Sequence, residues 1–152
     1  MTRAHNEPEL FGQLFVLSAH LTRRADEALA PFGLTSKQWL LLAVLSRGFP
    51  GASPTLTEAA RAYGSSRQNV KQVALQLAAR GYLSLTPDPA DRRATRLVLS
   101  DRVAVFDEPA AVAAQSTFIA RVFAPLTDDE VATALTLVGR CITSLTDHEE
   151  TR

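Results

Sequence analysis

Apolar residues recur along this chain with two different periods. Between residues 8 and 30, Leu10, Leu14, Leu17, Leu21 and Ala28 fall on one helical stripe, widened by Phe11 and Phe15, and the spacing predicts a long amphipathic helix. Pro31 and Gly33 interrupt it. Thr35 or Ser36 is placed to cap a second helix, with Trp39, Leu40, Ala43 and Val44 facing inward and an end near Arg47-Gly48. Residues 48–54 hold two glycines and two prolines and read as a loop. Thr55-x-x-Glu58 is a capping box for a third helix, whose inward face is Ala59, Ala60 and Tyr63. Gly64 suits a left-handed turn, and Ser66 is placed to cap a fourth helix. There Val70, Val73, Ala74 and Leu77 make the buried stripe, while Arg67, Gln68, Asn69, Lys71 and Gln72 face outward. Gly81 stops it.

After Gly81 the period shortens. Tyr82 to Leu85 and Thr95 to Leu99 read as short strands joined by the turn Pro87-Asp-Pro-Ala-Asp-Arg-Arg93. Ser100 is expected to cap a fifth helix running through Ala120, with Pro109 inside it predicting a kink or a break. Thr127-x-x-Glu130 opens a last helix, on which Val131, Leu135, Val138, Ile142 and Leu145 form a seam for a partner helix. The fold class is mainly α with a small β-hairpin (α+β): a winged helix-turn-helix flanked by terminal helices. The expected organisation is one unit over residues 1–152, with N-terminal helices at 8–47, the helix-turn-helix and hairpin at 55–100 and C-terminal helices at 101–148. Two long apolar stripes exceed what so small a lobe covers. A homodimer in which first and last helices of two chains pack together is therefore expected.

The chain has 152 residues, 46% of them hydrophobic, which suits one domain with a real core. Its apolar runs are too short to span a bilayer and its first residues are polar and mixed in charge, so a soluble cytoplasmic protein with no membrane partner is expected. The net charge is zero, but it is unevenly spread. From Arg61 to Arg96 there are seven basic residues against two acidic ones, and from Leu97 to the end four against nine. A basic field beside an acidic segment fits a nucleic-acid reader carried on a separate scaffold. The single cysteine, Cys141, rules out a disulfide within the chain and reads as a buried, inert thiol. His5, His20 and His148 lack ligand spacing, so no metal is expected. The sequence holds no glycine-rich phosphate loop, nucleophile elbow or paired His/carboxylate motif, so neither enzyme chemistry nor a cofactor is expected.

Two elements carry candidate chemistry. The helix opening at Ser66 offers free N–H groups and a positive dipole end, suited to phosphate. Ser65 and Ser66 have hydroxyls for the DNA backbone. Arg67, Gln68 and Asn69 have the donor and acceptor patterns for base edges. Lys71 suits phosphate, with Gln72 on the same outward face. The second element is the hairpin tip, Asp91-Arg92-Arg93. An arginine there can enter a narrow minor groove, and Asp91 has the wrong sign for DNA and the right one to hold Arg93 or Arg96. Phe11, Phe15 and Trp39 are either core aromatics or the lining of a crevice for an aromatic or lipophilic small molecule.

The segment Thr57 to Ser100 resembles the winged helix-turn-helix of the multiple antibiotic resistance regulator (MarR) family. The family's wing signature, an Asp-x-Arg-x-x-Arg-like run before a strand ending Leu-Thr or Leu-Ser, stands here as Asp91-Arg-Arg-Ala-Thr-Arg-Leu-Val-Leu-Ser100. The run Ser66-Arg-Gln-Asn-Val70, ending at Arg80-Gly-Tyr-Leu83, matches as well. The resemblance implies a homodimeric transcriptional regulator, usually a ligand-responsive repressor, on a palindromic operator of double-stranded DNA. It implies the 66–80 helix in the major groove and the 87–94 wing in the minor groove. It also implies dimerisation through the first, fifth and sixth helices, with an effector crevice beside them. The chain departs from the pattern at Asp101-Arg-Val-Ala104, where a glycine is common, and at Ala78-Ala79, where an acidic residue is common. It lacks the N-terminal cysteine of peroxide-sensing relatives. The alternative reading is a winged-helix protein-interaction module without DNA specificity.

Overall fold

Side-chain caps start most of the helices, as the sequence predicts. The computed structural model describes residues 2–147. His148 lies outside them. In chain order the elements are α1 (Arg3–Leu29), a 3-10 turn (Ala30–Phe32), α2 (Ser36–Gly48), α3 (Leu56–Tyr63) and α4 (Arg67–Ala79). Then come β1 (Leu83–Pro87), β2 (Thr95–Leu99), a 3-10 segment (Asp101–Asp107), α5 (Pro109–Phe123) and α6 (Asp128–Asp147). Thr35 opens α2 with a capping box: its hydroxyl accepts from the Gln38 N–H at 3.3 Å, and its own N–H donates to Gln38 Oε1 at 3.2 Å. Thr55 and Glu58 do the same for α3 (3.2 and 2.7 Å), and Thr127 and Glu130 for α6 (3.3 and 2.8 Å). Ser66 Oγ accepts from the Asn69 N–H at 3.2 Å and starts α4. Between α3 and α4 the chain turns at Gly64, whose φ of 77° is cheap only without a Cβ.

Three expectations are corrected. α1 begins at Arg3 and runs through Pro8, its first turns braced by an Arg3–Glu7 ion pair. α2 is phased differently: Gln38, Leu41, Leu42 and Leu45 are buried, Leu40 is 40% exposed, and Trp39, Ala43 and Val44 are half-buried. The run Leu40-Leu41-Leu42 fits more than one phase. The observed one also lets the buried Gln38 amide reach Gln76 of α4 at 3.1 Å. Ser100 does not cap an α-helix. Its hydroxyl donates to the Gly81 carbonyl at 2.6 Å and accepts from the Arg102 N–H, and the chain continues as 3-10 turns until Pro109. There α5 starts, with proline at its first position, where the missing N–H is not needed.

By internal contacts the chain divides into residues 1–103 and 104–152. The core lies in the first unit. Leu41, Leu42 and Leu45 of α2, Leu56, Ala59 and Ala60 of α3, and Val70, Ala74 and Leu77 of α4 are buried with Tyr82, Leu83 and Leu97 of the hairpin. β1 and β2 pair antiparallel, Leu83 opposite Leu99, Leu85 opposite Leu97 and Pro87 opposite Thr95. The loop before α3 runs along β2, through a Thr55–Arg96 bridge and an N–H of Leu97 donated to the Pro54 carbonyl at 2.9 Å. Arg80, at the end of α4, donates to the carbonyls of Phe32 and Gly33 and lies over the Tyr82 ring, which Arg102 also covers. That ties the end of α4 to the turn after α1 and to the hairpin root.

The terminal helices are different. None of the described residues of α1, α5 or α6 is buried. Phe11 is 65% exposed and Leu135 75%. Among the described residues no single helix is long and apolar enough to cross a membrane.

Candidate nucleic-acid interface

The helix pair and the hairpin give the first unit two polar, cationic projections. On α4 the buried stripe of Val70, Ala74 and Leu77 leaves Arg67, Gln68, Asn69, Lys71 and Gln72 exposed, as expected. The side chains of Arg67, Gln68, Lys71 and Gln72 make no hydrogen bond or ion pair among the described residues. Asn69 is already engaged, its Nδ2 donating to Ser65 Oγ at 3.3 Å. Ser65 and Ser66 both act as acceptors in this turn, so each hydroxyl hydrogen is left to donate outward. The arrangement presents two hydroxyl donors and a helix N-terminus beside a guanidinium and an ammonium, the set that phosphate and base edges call for.

The wing tip is built from two aspartate turns. Asp88 Oδ1 accepts from the Ala90 N–H at 2.9 Å, and Asp91 Oδ1 from the Arg93 N–H at 3.0 Å. The Asp88 N–H donates to the Ala94 carbonyl, and the Ala94 N–H to the Asp91 carbonyl, each at 2.9 Å. Arg92 and Arg93 are exposed at this tip with guanidinium groups unpaired among the described residues.

Arg96 points elsewhere. Its Nη1 donates to the Ser53 carbonyl at 2.6 Å and its Nη2 pairs with Asp88 Oδ2 at 2.9 Å. The expected partnership of Asp91 is thereby corrected: Asp91 holds Arg93 through its main chain, and Arg96 belongs to Asp88. The N–H of Ala90, and then the Arg96 guanidinium, hold the Asp88 carboxyl below its usual range. Asp88 was not singled out from the sequence. The signal was its place at the head of the turn, two residues before a free N–H, where aspartate forms such turns.

The other candidates disperse. Phe11 and Phe15 form an edge-to-face pair, centroids 5.0 Å apart, on the exposed face of α1, so neither is a core aromatic of this chain. Trp39 is half-buried on α2. Cys141 is exposed on α6, contrary to the expectation of a buried thiol, because the stripe it flanks is uncovered. His5 and His20 are exposed, and no group of three or more His, Cys, Asp or Glu among the described residues is placed to hold a metal.

Residues 32–94 match the model of the MarR family. The transcriptional activatory protein BadR of Rhodopseudomonas palustris is 33% identical over 89 residues, 59% of this chain and 50% of BadR. An uncharacterized protein of Mycobacterium bovis is 34% identical over 92 residues, 60% of this chain and 62% of its own length. The matches thus span half to three-fifths of these relatives. Among solved structures, a MarR protein from Peptoclostridium difficile superposes with a TM-score of 0.77 at 16% identity, over 91% of this chain and 88% of that one. A MarR transcriptional regulator from Methanosarcina mazei gives 0.76 at 18% identity, over 90% and 99%. The transcriptional regulator SlyA gives 0.75 at 12% identity, over 93% and 97%. The matched segment holds α2, the helix-turn-helix and the wing tip and is similar to the MarR family, and the fold, flanking helices included, is that of the MarR winged-helix structures.

Proposed function

We propose that the protein is a homodimeric, sequence-specific regulator of transcription that reads an inverted repeat in double-stranded DNA. In this reading α4 enters the major groove, with Arg67, Gln68 and Asn69 toward base edges and Ser65, Ser66, Lys71 and Gln72 toward the backbone. The wing lays Arg92 and Arg93 along the adjacent minor groove. The observation that carries the reading is the placing of Arg67, Lys71, Arg92 and Arg93, all exposed and unengaged, on two projections of one compact unit.

The dimer is supported by the uncovered apolar stripes: Leu10, Phe11, Leu14 and Leu17 on α1, and Leu135, Val138, Ile142 and Leu145 on α6. Apolar faces of this length are covered by something in a folded protein at working concentration, and a second copy of the chain supplies faces of matching character. Two copies related by a twofold axis read half-sites about one helical turn apart. A small-molecule effector beside the dimerisation helices belongs to the same reading, with Phe11, Phe15 and Trp39 as candidate contacts. It regulates only by preferring one spacing of the two α4 helices over another. Cytoplasmic residence follows from a role on DNA. The expected repressor role stands beside a relative named as an activatory protein. The position of the operator relative to the promoter decides between them.

The test is selection of the purified protein on random duplex DNA at two salt concentrations. An enriched inverted repeat supports the regulator. Salt-sensitive binding without enrichment leaves a non-specific DNA binder. No binding at either salt favours the protein-interaction module.

A further inference from the structure

We propose that Asp88 and Arg96 form a clamp that positions the wing, and that Arg96 serves DNA binding through this clamp and not by touching DNA. The proposal rests on the DNA-binding reading above and assigns a role within it. The Arg96 guanidinium spans two acceptors on two sides of the hairpin root. Ser53, at 2.6 Å, belongs to the loop that leads into α3, and Asp88, at 2.9 Å, is the residue that follows β1. The same loop is joined to β2 by the Thr55–Arg96 bridge and the Leu97-to-Pro54 bond. Asp88 in turn fixes the tip: one carboxylate oxygen takes the Ala90 N–H, and its own N–H reaches the Ala94 carbonyl. A single planar fork therefore joins the helix-turn-helix to the tip that carries Arg92 and Arg93. A lysine, with one point charge, would not span both acceptors in this way. The Asp88 side chain is only 9% exposed and that of Arg96 36%, so the pair is partly shielded from competing ions.

The clamp and a simple contact role differ in sign at Asp88. Removing an acidic charge from a DNA-facing element should tighten binding if Asp88 is merely a neighbour. If it positions the wing, Asp88→Asn weakens binding, on the order of fivefold for a partly exposed pair. The variant also has a shallower salt dependence than the parent, because wing cations lose their phosphates. Arg96→Gln should do the same, and the Asp88→Asn/Arg96→Gln double variant should be no weaker than the weaker single variant. Binding is measured on the duplex selected by the parent, with melting temperature and circular dichroism as folding controls. Tighter or unchanged binding by Asp88→Asn, or additive losses in the double variant, overturns the clamp.

Amide hydrogen exchange without DNA gives a second, independent readout. Arg96→Gln should speed exchange at Asp88 and Ala90 and leave α4 unchanged. Equal exchange at those two amides overturns the clamp even if the parent binds DNA. If the parent binds no duplex, the DNA reading fails, while faster exchange still upholds the clamp as a feature of the hairpin.

Discussion

At the start of α4, Gln68 and Asn69 are neighbours in sequence with different freedom. Gln68 is exposed and unengaged, whereas Asn69 Nδ2 already donates one hydrogen bond to Ser65 Oγ. Gln68→Ala should therefore relax base preference at one position of each half-site, by about 1–3 kcal/mol of discrimination, with no change in melting temperature. Asn69→Ala should change both. Selection on duplex pools together with thermal melts separates the two outcomes. Arg93→Ala should weaken binding to every duplex alike and lower the salt slope by about 0.9 for each phosphate released, as read from affinities over a salt series. The outward set on α4 was legible because helical period alone decides which side chains leave the core. The Arg96 partnership was not. Asp88 and Asp91 are both near in sequence, and only the pairing of Thr86 with Arg96 in the hairpin brings Asp88 to the guanidinium.

The capped helix is the element whose chemistry is most open to test. Thr55→Ala removes one acceptor from α3 and should cost about 1 kcal/mol. Gly64→Ala meets no atom within 4 Å, so its cost is the left-handed backbone alone, about 1–2 kcal/mol. Both are read from denaturant midpoints. The caps also set a pH dependence. Hydrogen bonds from the Thr55 and Thr127 N–H groups, then from their hydroxyls, hold Glu58 and Glu130 below the usual carboxylate range. A lowered folded pKa means the unfolded chain binds the proton first, so this stability is present above the ordinary glutamate pKa of about 4.3 and fades as pH falls below it. The melting temperature should drop through that window, and less steeply in a Glu58→Gln/Glu130→Gln variant. Capping boxes were readable because their partners lie three residues apart. The phase of α2 was not, since Leu40-Leu41-Leu42 suits several faces and only the packing that buries Leu41, Leu42 and Leu45 distinguishes them.

On the scale of the whole molecule, the winged lobe could be assembled from the sequence because its contacts are mostly between neighbours in the chain. The terminal helices could be read as apolar stripes, but a stripe does not name what covers it, and no described residue of α1, α5 or α6 is buried. A dimer makes that cover testable. Leu135→Glu or Ile142→Glu should shift sedimentation from dimer toward monomer, reduce the dependence of melting on protein concentration that a dimeric parent shows, and weaken binding to an inverted repeat more than to a single half-site. A monomer-sized parent at micromolar concentration would remove the dimer from the reading. Cys141 adds a practical consequence. It is the only thiol in the chain and stands exposed on α6, flanking that stripe. A thiol-reactive dye therefore marks every protomer once, without engineering. If the proposed dimer forms, the labelling rate against dilution traces its assembly, and the separation of two such marks reports any shift of the two copies on added duplex.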